Sequence, residues 1–277
     1  MEKKNALKAN IEYHTKLANI YDDSQPHFKI ENQKQIKKLM KLYSLKIGAG
    51  RLLDLGCGTG FILSLAMPYF NELYGIDITP AMLDLAKFKF KKVKKIKLIQ
   101  ASSEHLPFRN SLFDVLTSYS FLHHLSSIGP TLKEAFRVLK KGGIFYSDLD
   151  PNYYFWQAIK SAAKEKKVSR LLKIDVNSIC HMTRNISEMA PGLSRTTIKK
   201  AEYVEGFKGG FKEENLRQIF LKTGFKTFNL EYHWFWQEGR VIKNLSPADA
   251  LYFEKHLRAA LPLTKHLFKY IKIEAIK

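Results

Sequence analysis

The chain has 277 residues, 45% of them hydrophobic, with two cysteines and a formal net charge of +20 at pH 7. This composition predicts a globular chain with an ample core and excludes a disulfide-bonded scaffold, while the charge makes nucleic acid a partner to be considered. The sequence shows no apolar signal-peptide core at its start and no run approaching the roughly 20 apolar residues of a membrane span, so we expect a cytoplasmic protein.

Two helices are predicted before the first strand, over residues 5–21 and 30–45. Tyr21 lies at the end of the first helix. From spacing alone it can either pack on the core or face a ligand cleft, and the two interpretations stay open.

From residue 51 onward the predicted elements alternate between strand and helix. This alternation predicts an α/β fold with a doubly wound parallel sheet and helices on both faces. The predicted strands lie near residues 51–55, 72–76, 96–100, 113–119, 143–149, 225–232 and 270–276, and the helices near 60–68, 80–90, 131–140 and 212–223. A capping box is expected at Thr131 and Glu134, and the alternating last strand is expected at a partly exposed sheet edge.

The densest cluster of positive charge runs from Lys87 to Lys97. It lies at the amino edge of the predicted sheet, whereas ligands bind outside the carboxyl edge. Only nine of the 46 basic residues are arginine, the side chain on which base and phosphate recognition most depends. A solvated lysine face is therefore favoured over a nucleic-acid surface, which is not excluded.

A glycine-rich turn follows the first predicted strand, in the segment Leu52–Gly60. Its glycines permit a tight turn and let backbone N–H groups approach a ligand. Asp77 ends the second strand, 21 residues after Gly56, where its carboxylate can accept both hydroxyls of a ribose. The turn and the carboxylate together predict a site for a nucleoside-bearing cofactor.

Asp54, two residues before the first glycine, favours one class of nucleoside cofactor. A carboxylate would be repelled by the pyrophosphate of a dinucleotide but attracted by the cationic amine of a methionine moiety. An NAD(P) oxidoreductase is therefore a distant alternative. The run Leu53-Asp54-Leu55-Gly56-Cys57-Gly58-Thr59-Gly60 resembles the first motif of the class I S-adenosylmethionine-dependent methyltransferases.

Further segments resemble landmarks of that family in the same order. They are Gly75–Leu83, Leu106–Phe108 with Ser111–Val115, Phe121–Leu125 and Arg137–Gly143. By eye the chain is most similar to the small-molecule enzymes typified by the ubiquinone/menaquinone-biosynthesis methyltransferases. The resemblance implies S-adenosylmethionine as cofactor and a Rossmann-like sheet whose last strand is antiparallel.

The resemblance also implies a set of cofactor contacts. The methionine portion would be held by backbone at Gly56, Cys57, Gly58 and Gly60, with Asp54 near its amine. Asp77 would hold the ribose, Ile78 and Met82 would flank the adenine, and Ser102 and Ser103 would face its edge. Ser118 would lie beside the methyl-bearing end, and Tyr21 resembles a tyrosine often found over this cleft.

One position departs from the family pattern. An acidic residue commonly stands four positions before the Leu-Pro-Phe segment and accepts the adenine amino group, but Ser102 is present here. Because a hydroxyl is a weaker acceptor than a carboxylate, we expect lower cofactor affinity or a substitute contact from Glu104.

His123 and His124 follow the fourth strand at the predicted ligand edge and are the candidate catalytic bases, since an imidazole titrates near neutrality. A packing or cofactor-loop role is favoured for them, because position alone does not establish base geometry. His181 and His233 are weaker alternatives. The sequence has no zinc-type Cys/His spacing, and no metal is expected.

The predicted organisation is a single domain with two insertions. It comprises an N-terminal helical cap (1–48), a cofactor-binding core (49–150), an insertion expected to build the acceptor pocket (151–211), and a C-terminal part of the core with inserted helices (212–277). Aromatic and basic residues near 153–173 and in the second insertion, 233–268, predict a flat or long apolar acceptor, with or without an anionic group. For any single aromatic residue, ordinary packing is favoured.

Three functions remain open. The first is a methyltransferase acting on a small-molecule acceptor, such as a lipid-like or quinone-like compound. The second is a nucleic-acid (RNA) methyltransferase. The positive charge favours this function, whereas the absence of an Asn/Asp-Pro-Pro-aromatic motif after the fourth strand argues against it. The third is a non-catalytic S-adenosylmethionine-binding module, supported by Ser102. Either a monomer or a homodimer is compatible with the sequence.

Overall fold

The structure, a computed structural model, describes residues 2–165, 173, 176, 182–202 and 209–277. Its strands are β1 (Arg51–Leu55), β2 (Glu72–Asp77), β3 (Ile96–Gln100), β4 (Phe113–Tyr119), β5 (Leu139–Pro151), β6 (Thr227–Phe235) and β7 (Phe268–Ile276). Its helices are α1 (Glu2–Leu17), α2 (Tyr21–Ser24), α3 (Ile30–Ile47), α4 (Phe61–Ala66), α5 (Pro80–Phe90), α6 (Gly129–Val138), α7 (Tyr153–Ala162), α8 (Met182–Met189), α9 (Arg195–Ala201), α10 (Glu213–Thr223), α11 (Glu238–Asn244) and α12 (Pro247–Ala259). Short 3-10 turns cover Ala18–Ile20, Pro26–Phe28, Leu122–His124 and Lys265–Leu267.

The strands form one seven-stranded sheet in the order β3-β2-β1-β4-β5-β7-β6. Six of these strands run in the same direction, and β7 runs in the opposite direction. This confirms the doubly wound α/β fold and its antiparallel last strand. The prediction that β7 lies at a sheet edge is wrong, because β5 and β6 pair with it on either side. Ile271, Ile273 and Ala275 are accordingly buried, and β6 forms the edge instead.

Helices cover both faces of the sheet and build two apolar cores. On one face α6 and α10 bury Leu132 and Phe220 against the sheet. On the other, α3 and α4 bury Met40 and Leu63. Because successive strand residues point to opposite faces, β1 supplies both cores, with Leu52 in the second. The two layers hold the carboxyl ends of β1, β2 and β4 side by side at one edge.

The capping box predicted at the start of α6 is wrong. The helix begins at Gly129, with a proline in its first turn. Thr131 instead shares a 2.8 Å hydrogen bond with the Ser103 hydroxyl, and the Glu134 carboxylate accepts the Leu106 N–H at 2.8 Å. Both side chains therefore fasten the loop after β3 to α6, which positions one wall of the site.

Helix α1 packs on the carboxyl edge of the sheet rather than on either face. Its Tyr13 and Leu17 join Ile198 and Ala201 of α9 in a small separate apolar cluster. Asn10 on the same helix donates from Nδ2 to the carbonyl of His124 at 3.1 Å. The N-terminal helix thus forms a cover over the ends of the strands.

The lysine cluster lies where the sequence places it, between α5 and β3 at the amino edge of the sheet. Lys91, Lys92 and Lys94 are exposed there, and Lys97 pairs with Glu72 at 3.1 Å. Within the described ranges, no helix is both long and apolar enough to cross a membrane.

Candidate functional site

Two adjoining cavities open at the carboxyl edge of the sheet. The first, of about 440 Å³, is bounded by the glycine turn, the start of α5 and the loop after β3. The second, of about 230 Å³, lies between α1, the turn at Pro26–Phe28, α8 and the residue after α9. The two cavities share His14, Tyr21, Ser120 and His124. A ligand in one cavity would therefore meet a ligand in the other across these four side chains.

The glycine turn presents open backbone to the first cavity. Gly56 and Gly58 both line it, with φ angles of +64° and +51°. A Cβ on Gly56 would collide with Phe121, whereas one on Gly58 would meet no atom within 4 Å. Gly58 therefore leaves free space for a ligand beside the backbone.

Asp77 lies at the end of β2 and holds the turn in place. One carboxylate oxygen accepts the Gly58 N–H at 2.9 Å and the other accepts the Thr79 N–H at 2.8 Å. Each oxygen has a second lone pair, so the carboxylate can still accept ribose hydroxyls. Ile78 and Met82, the predicted adenine neighbours, line the same cavity.

Ser102, Ser103 and Glu104 also line the first cavity, on the loop that β3 delivers. The Ser103 hydroxyl is engaged with Thr131, and the Ser102 hydroxyl accepts the Glu104 N–H at 3.3 Å. Glu104 thus places a carboxylate in the same cavity wall as Ser102, the residue that departs from the family pattern.

Asp54, Cys57 and Gly60, also predicted as contacts, are not among the residues that line the first cavity. Asp54 is 2% exposed and accepts a 2.7 Å hydrogen bond from Thr117. Burial, aided by the nearby negative charge of Asp77, raises the pKa of Asp54 to about 7. Burial likewise raises the pKa of the Cys57 thiol well above its usual value, so that side chain packs rather than reacts.

Ser118 does not reach either cavity. It lies within β4, fully buried between β1 and β5, where it pairs with Leu55 and Ser147. The chain turns towards the cavities only after the strand ends, and Ser120, with a φ of +52°, lines both of them. Ser120 therefore faces the cavities and Ser118 does not.

The two candidate bases have different surroundings. His123 lines only the second cavity, and its Nδ1 lies 3.0 Å from the Asp150 carboxylate. His124 lines both cavities and donates from Nδ1 to the Ala201 carbonyl at 3.0 Å. Burial, aided by neighbouring His123, lowers the pKa of His124 to about 3. His124 is thus a neutral imidazole and a weak base at the junction of the cavities.

The weaker histidine alternatives lie elsewhere. His233 contacts the Asp148 carboxylate and lines neither cavity. His181 lies outside the described residues, as do Cys180 and the basic residues Lys166, Lys167 and Arg170.

The aromatic residues offered as a wall for an acceptor pocket pack elsewhere. Phe155 and Trp156 of the first insertion form a small buried cluster against Trp236, and Phe235 belongs to the main core. None of these rings lines the two cavities, in agreement with the ordinary packing favoured for each of them. In the described part of the first insertion, the second cavity is lined by Ile186, Met189 and Glu202.

Sequence reasoning missed several residues that line the cavities. Asn10 and His14 come from α1, together with Ala6, at a spacing of four residues that puts all three on one helix face. That spacing is a signal readable in the sequence. Glu202 and Ser120 carry no comparable signal, because only the tertiary packing brings them to the strand ends.

Comparisons with known proteins agree with this geometry. Residues 53–147 match the family described as "Methyltransferase domain". This part of the chain is similar to the class I S-adenosylmethionine-dependent methyltransferases.

Similar relatives and solved structures share this core to different extents. A malonyl-[acyl-carrier protein] O-methyltransferase of Legionella pneumophila is 32% identical over 48% of this chain and 48% of its own length. A demethylmenaquinone methyltransferase of Staphylococcus haemolyticus is 34% identical over 52% of this chain and 62% of its own length. The chain thus spans about half to three fifths of these relatives. The solved structure of an S-adenosylmethionine-dependent methyltransferase from Mesorhizobium loti matches 87% of this chain and 96% of its own, with a TM-score of 0.55 at 15% identity, and shows the shared fold.

S-adenosylmethionine, the family's cofactor, fits the first cavity of the methyltransferase core. The free space beside Gly58 is the observation that decides this, because a ligand can approach the backbone there without meeting a Cβ. Asp77, fixed by two backbone N–H groups, offers its remaining lone pairs to a ribose beside that space.

Proposed function

We propose that the protein transfers the methyl group of S-adenosylmethionine to a small-molecule acceptor. The observation that carries this proposal is the junction of the two cavities at His14, Tyr21, Ser120 and His124. A cofactor in the first cavity and an acceptor in the second would meet there, as an in-line methyl transfer requires. The second cavity, at about 230 Å³, suits a compact group rather than a folded macromolecule.

The acceptor class follows from the walls of the second cavity. Rings from Tyr13, Tyr21 and His27 line it, and α8 adds Ile186 and Met189. Imidazole, amide and carboxylate side chains line the same cavity, so the surface favours a flat head group that carries several polar atoms. A quinone-like or lipid-like acceptor agrees with this surface, and the name of one relative refers to demethylmenaquinone, whereas the name of the other refers to a malonyl-[acyl-carrier protein].

The residues of the chain would bind and orient rather than perform acid–base chemistry. S-adenosylmethionine supplies an already activated methyl group. Asp77 and the turn at Gly58 hold the cofactor, α1 excludes water from above, and Ser120 and Tyr21 line the path between the cavities. The low pKa of His124 makes it a weak base, so we expect the acceptor to react without strong assistance from that imidazole.

The first experiment is a thermal-shift series with S-adenosylmethionine, S-adenosylhomocysteine, NAD and NADP on the wild type and on Asp77→Ala. We expect only the two sulfur nucleosides to raise the wild-type Tm, by an amount that follows their affinity. In Asp77→Ala the shift should fall sharply, because the ribose acceptor and the anchor of Gly58 are both lost. A shift with NAD or NADP instead, or with none of the four, would overturn the assignment.

Turnover separates an enzyme from a non-catalytic binding module. The protein is incubated with S-adenosylmethionine and a low-molecular-weight cell extract, and S-adenosylhomocysteine is quantified. Production above an extract-only control, abolished in Asp77→Ala, supports the proposed transfer. Cofactor binding without production over a range of extracts would favour the binding module.

A further inference from the structure

Three potential metal ligands converge in the wall of the second cavity. One ring nitrogen each from His123 and His124 and one carboxylate oxygen from Glu202 lie within 4.8 Å of one another. The Nε2 atom of His123 is 3.8 Å from the Oε2 atom of Glu202. Ligands held at about 2.0–2.1 Å around a tetrahedral zinc ion are roughly 3.4 Å apart, so small side-chain adjustments would complete a coordination shell.

The carboxylate of Glu202 provides independent support for a cation at this place. Its side chain is 7% exposed, and its Oε2 atom has no hydrogen-bond partner among the described residues. A buried carboxylate oxygen without a partner is costly, and native structures almost always compensate it. A bound cation would supply the missing partner.

His123 is oriented as a metal ligand would be. Its Nδ1 is 3.0 Å from Asp150 Oδ1, which also accepts the backbone N–H of His123 at 3.1 Å. The other oxygen of Asp150 accepts the Ser147 hydroxyl at 2.7 Å, so the carboxylate is fixed. A proton on Nδ1 leaves the lone pair of Nε2 facing Glu202. Carboxylate–histidine pairs of this kind commonly orient the imidazole ligands of metal ions.

His124 completes the set from the neighbouring position. Its Nδ1 is 4.0 Å from Glu202 Oε2 and donates to the Ala201 carbonyl. Coordination through Nε2 would retain that hydrogen bond, and coordination through Nδ1 would replace it.

We propose that His123, His124 and Glu202 bind a divalent transition metal, with zinc favoured by the donor set. Two imidazoles and one carboxylate, with the remaining position open to a cavity, form a ligand pattern typical of accessible zinc sites. The sequence predicts no metal, because Glu202 joins the two histidines only through the packing of α9 against the strand ends. The site stands on these contacts and does not depend on the proposed methyl transfer.

The test is metal binding itself. Tag-free protein is stripped with EDTA, dialysed, and titrated with Co²⁺ followed by Zn²⁺, with visible absorption and calorimetry as readouts. We expect one equivalent of Co²⁺ with the absorption of a nitrogen–oxygen site, displaced by Zn²⁺. Glu202→Gln and His123→Gln should lower the affinity at least about 100-fold, and Asp150→Asn about 10- to 100-fold as a positioning residue. His256→Gln and Glu31→Gln, at exposed positions, are the matched controls and should bind as the wild type does.

Circular dichroism checks that each variant is folded. If Glu202→Gln does not fold, His124→Asn and Asp150→Asn serve in its place. A second readout is the Tm of the stripped wild type, which Zn²⁺ should raise and which should not respond in the ligand variants. A wild type that binds no stoichiometric metal, or folded ligand variants that bind as tightly as the wild type, would overturn the proposal.

Discussion

The glycine turn exposes its backbone to the first cavity, because glycine has a hydrogen atom where other residues have a side chain. Gly56 and Gly58 both have positive φ and both line the first cavity, but only Gly58 has open space where a Cβ would stand. At Gly56 the same space is filled by Phe121. The conformation of the turn and the room for a ligand are therefore separate requirements, and Gly58 meets both.

Gly58→Ala tests the second requirement against a matched control, Gly48→Ala. Both glycines have positive φ (+51° and +78°) and no atom within 4 Å of the position that a Cβ would take, so both changes should lower the free energy of unfolding through strain, by about 1–3 kcal/mol at Gly48, whose ψ of +161° is essentially restricted to glycine. Only Gly58 lines the cavity. Calorimetry should show S-adenosylmethionine affinity reduced roughly 10-fold or more in Gly58→Ala and unchanged in Gly48→Ala. Equal losses of S-adenosylmethionine affinity in the two variants would contradict a role of Gly58 in binding the cofactor.

Asp54 illustrates a buried charge that costs stability. Its pKa of about 7, raised by burial and by Asp77, means that the folded protein binds a proton more readily than the unfolded chain. The free energy of unfolding therefore falls as the pH rises towards 7, because Asp54 must then ionise inside the core. The hydrogen bond from Thr117 offsets only part of this cost.

Asp54→Asn should therefore stabilise the protein in a pH-dependent way, since an amide oxygen can still accept from Thr117. Its advantage in the free energy of unfolding should be about 2 kcal/mol larger near pH 8.5 than near pH 5.5. Denaturant unfolding of wild type and variant without cofactor, at both pH values, measures this difference. The variant should also bind S-adenosylmethionine more weakly if Asp54 lies near the amine. A pH-independent advantage would contradict the raised pKa.

At the scale of elements, α1 decides how the site is closed. It lies across the strand ends, and Asn10 ties it to the carbonyl of His124 while also donating to Ala6. His14 from the same helix lines both cavities. This one N-terminal helix thus forms part of the walls of both cavities.

Asn10→Ala should loosen this cover without disturbing the sheet. The partly buried His124 carbonyl would lose its partner, at a cost of about 1 kcal/mol. Hydrogen exchange should rise in α1 and not in β1 or β4, and cofactor affinity should fall. Asn5→Ala, at an exposed position on the same helix, is the control and should change neither. Unchanged exchange in α1 of Asn10→Ala would show that packing against α9 alone holds the helix.

At the scale of the whole molecule, the densest lysine cluster and the candidate site are spatially separate. The exposed lysines 91, 92 and 94 lie at the amino edge of the sheet, and both cavities open at the carboxyl edge. A charge on the far side of the molecule cannot position an acceptor in the second cavity. The arrangement thus favours a small molecule over RNA.

The triple variant Lys91→Glu, Lys92→Glu, Lys94→Glu distinguishes the two acceptors. Turnover with a low-molecular-weight extract should be unchanged and should depend little on salt. For an RNA acceptor, both binding and turnover would fall steeply in the variant and with rising salt, because phosphate neutralisation releases counterions. Filter binding with total RNA and S-adenosylhomocysteine production, each over a salt series, measure the two quantities.

The sequence by itself determined the fold class, the glycine turn, Asp77 and the wall at Ile78, Met82 and Ser102. These features follow from local periodicity, since a parallel sheet brings the carboxyl ends of its strands to one edge wherever the helices lie. The course of the chain after a strand ends was less predictable, and the structure has Ser120 rather than Ser118 lining the cavities.

Only the tertiary structure decided the second cavity and its chemistry. His14, His123 and Glu202 come from three distant parts of the chain, and they meet because α1 and α9 pack against each other over the sheet edge. The sequence could not predict the interior position of β7 for the same reason. Its alternation of apolar and charged residues is equally compatible with a strand at the edge of a sheet. Local patterns specify which face a residue takes on its own element, whereas the neighbours of that face depend on long-range packing that no short pattern encodes.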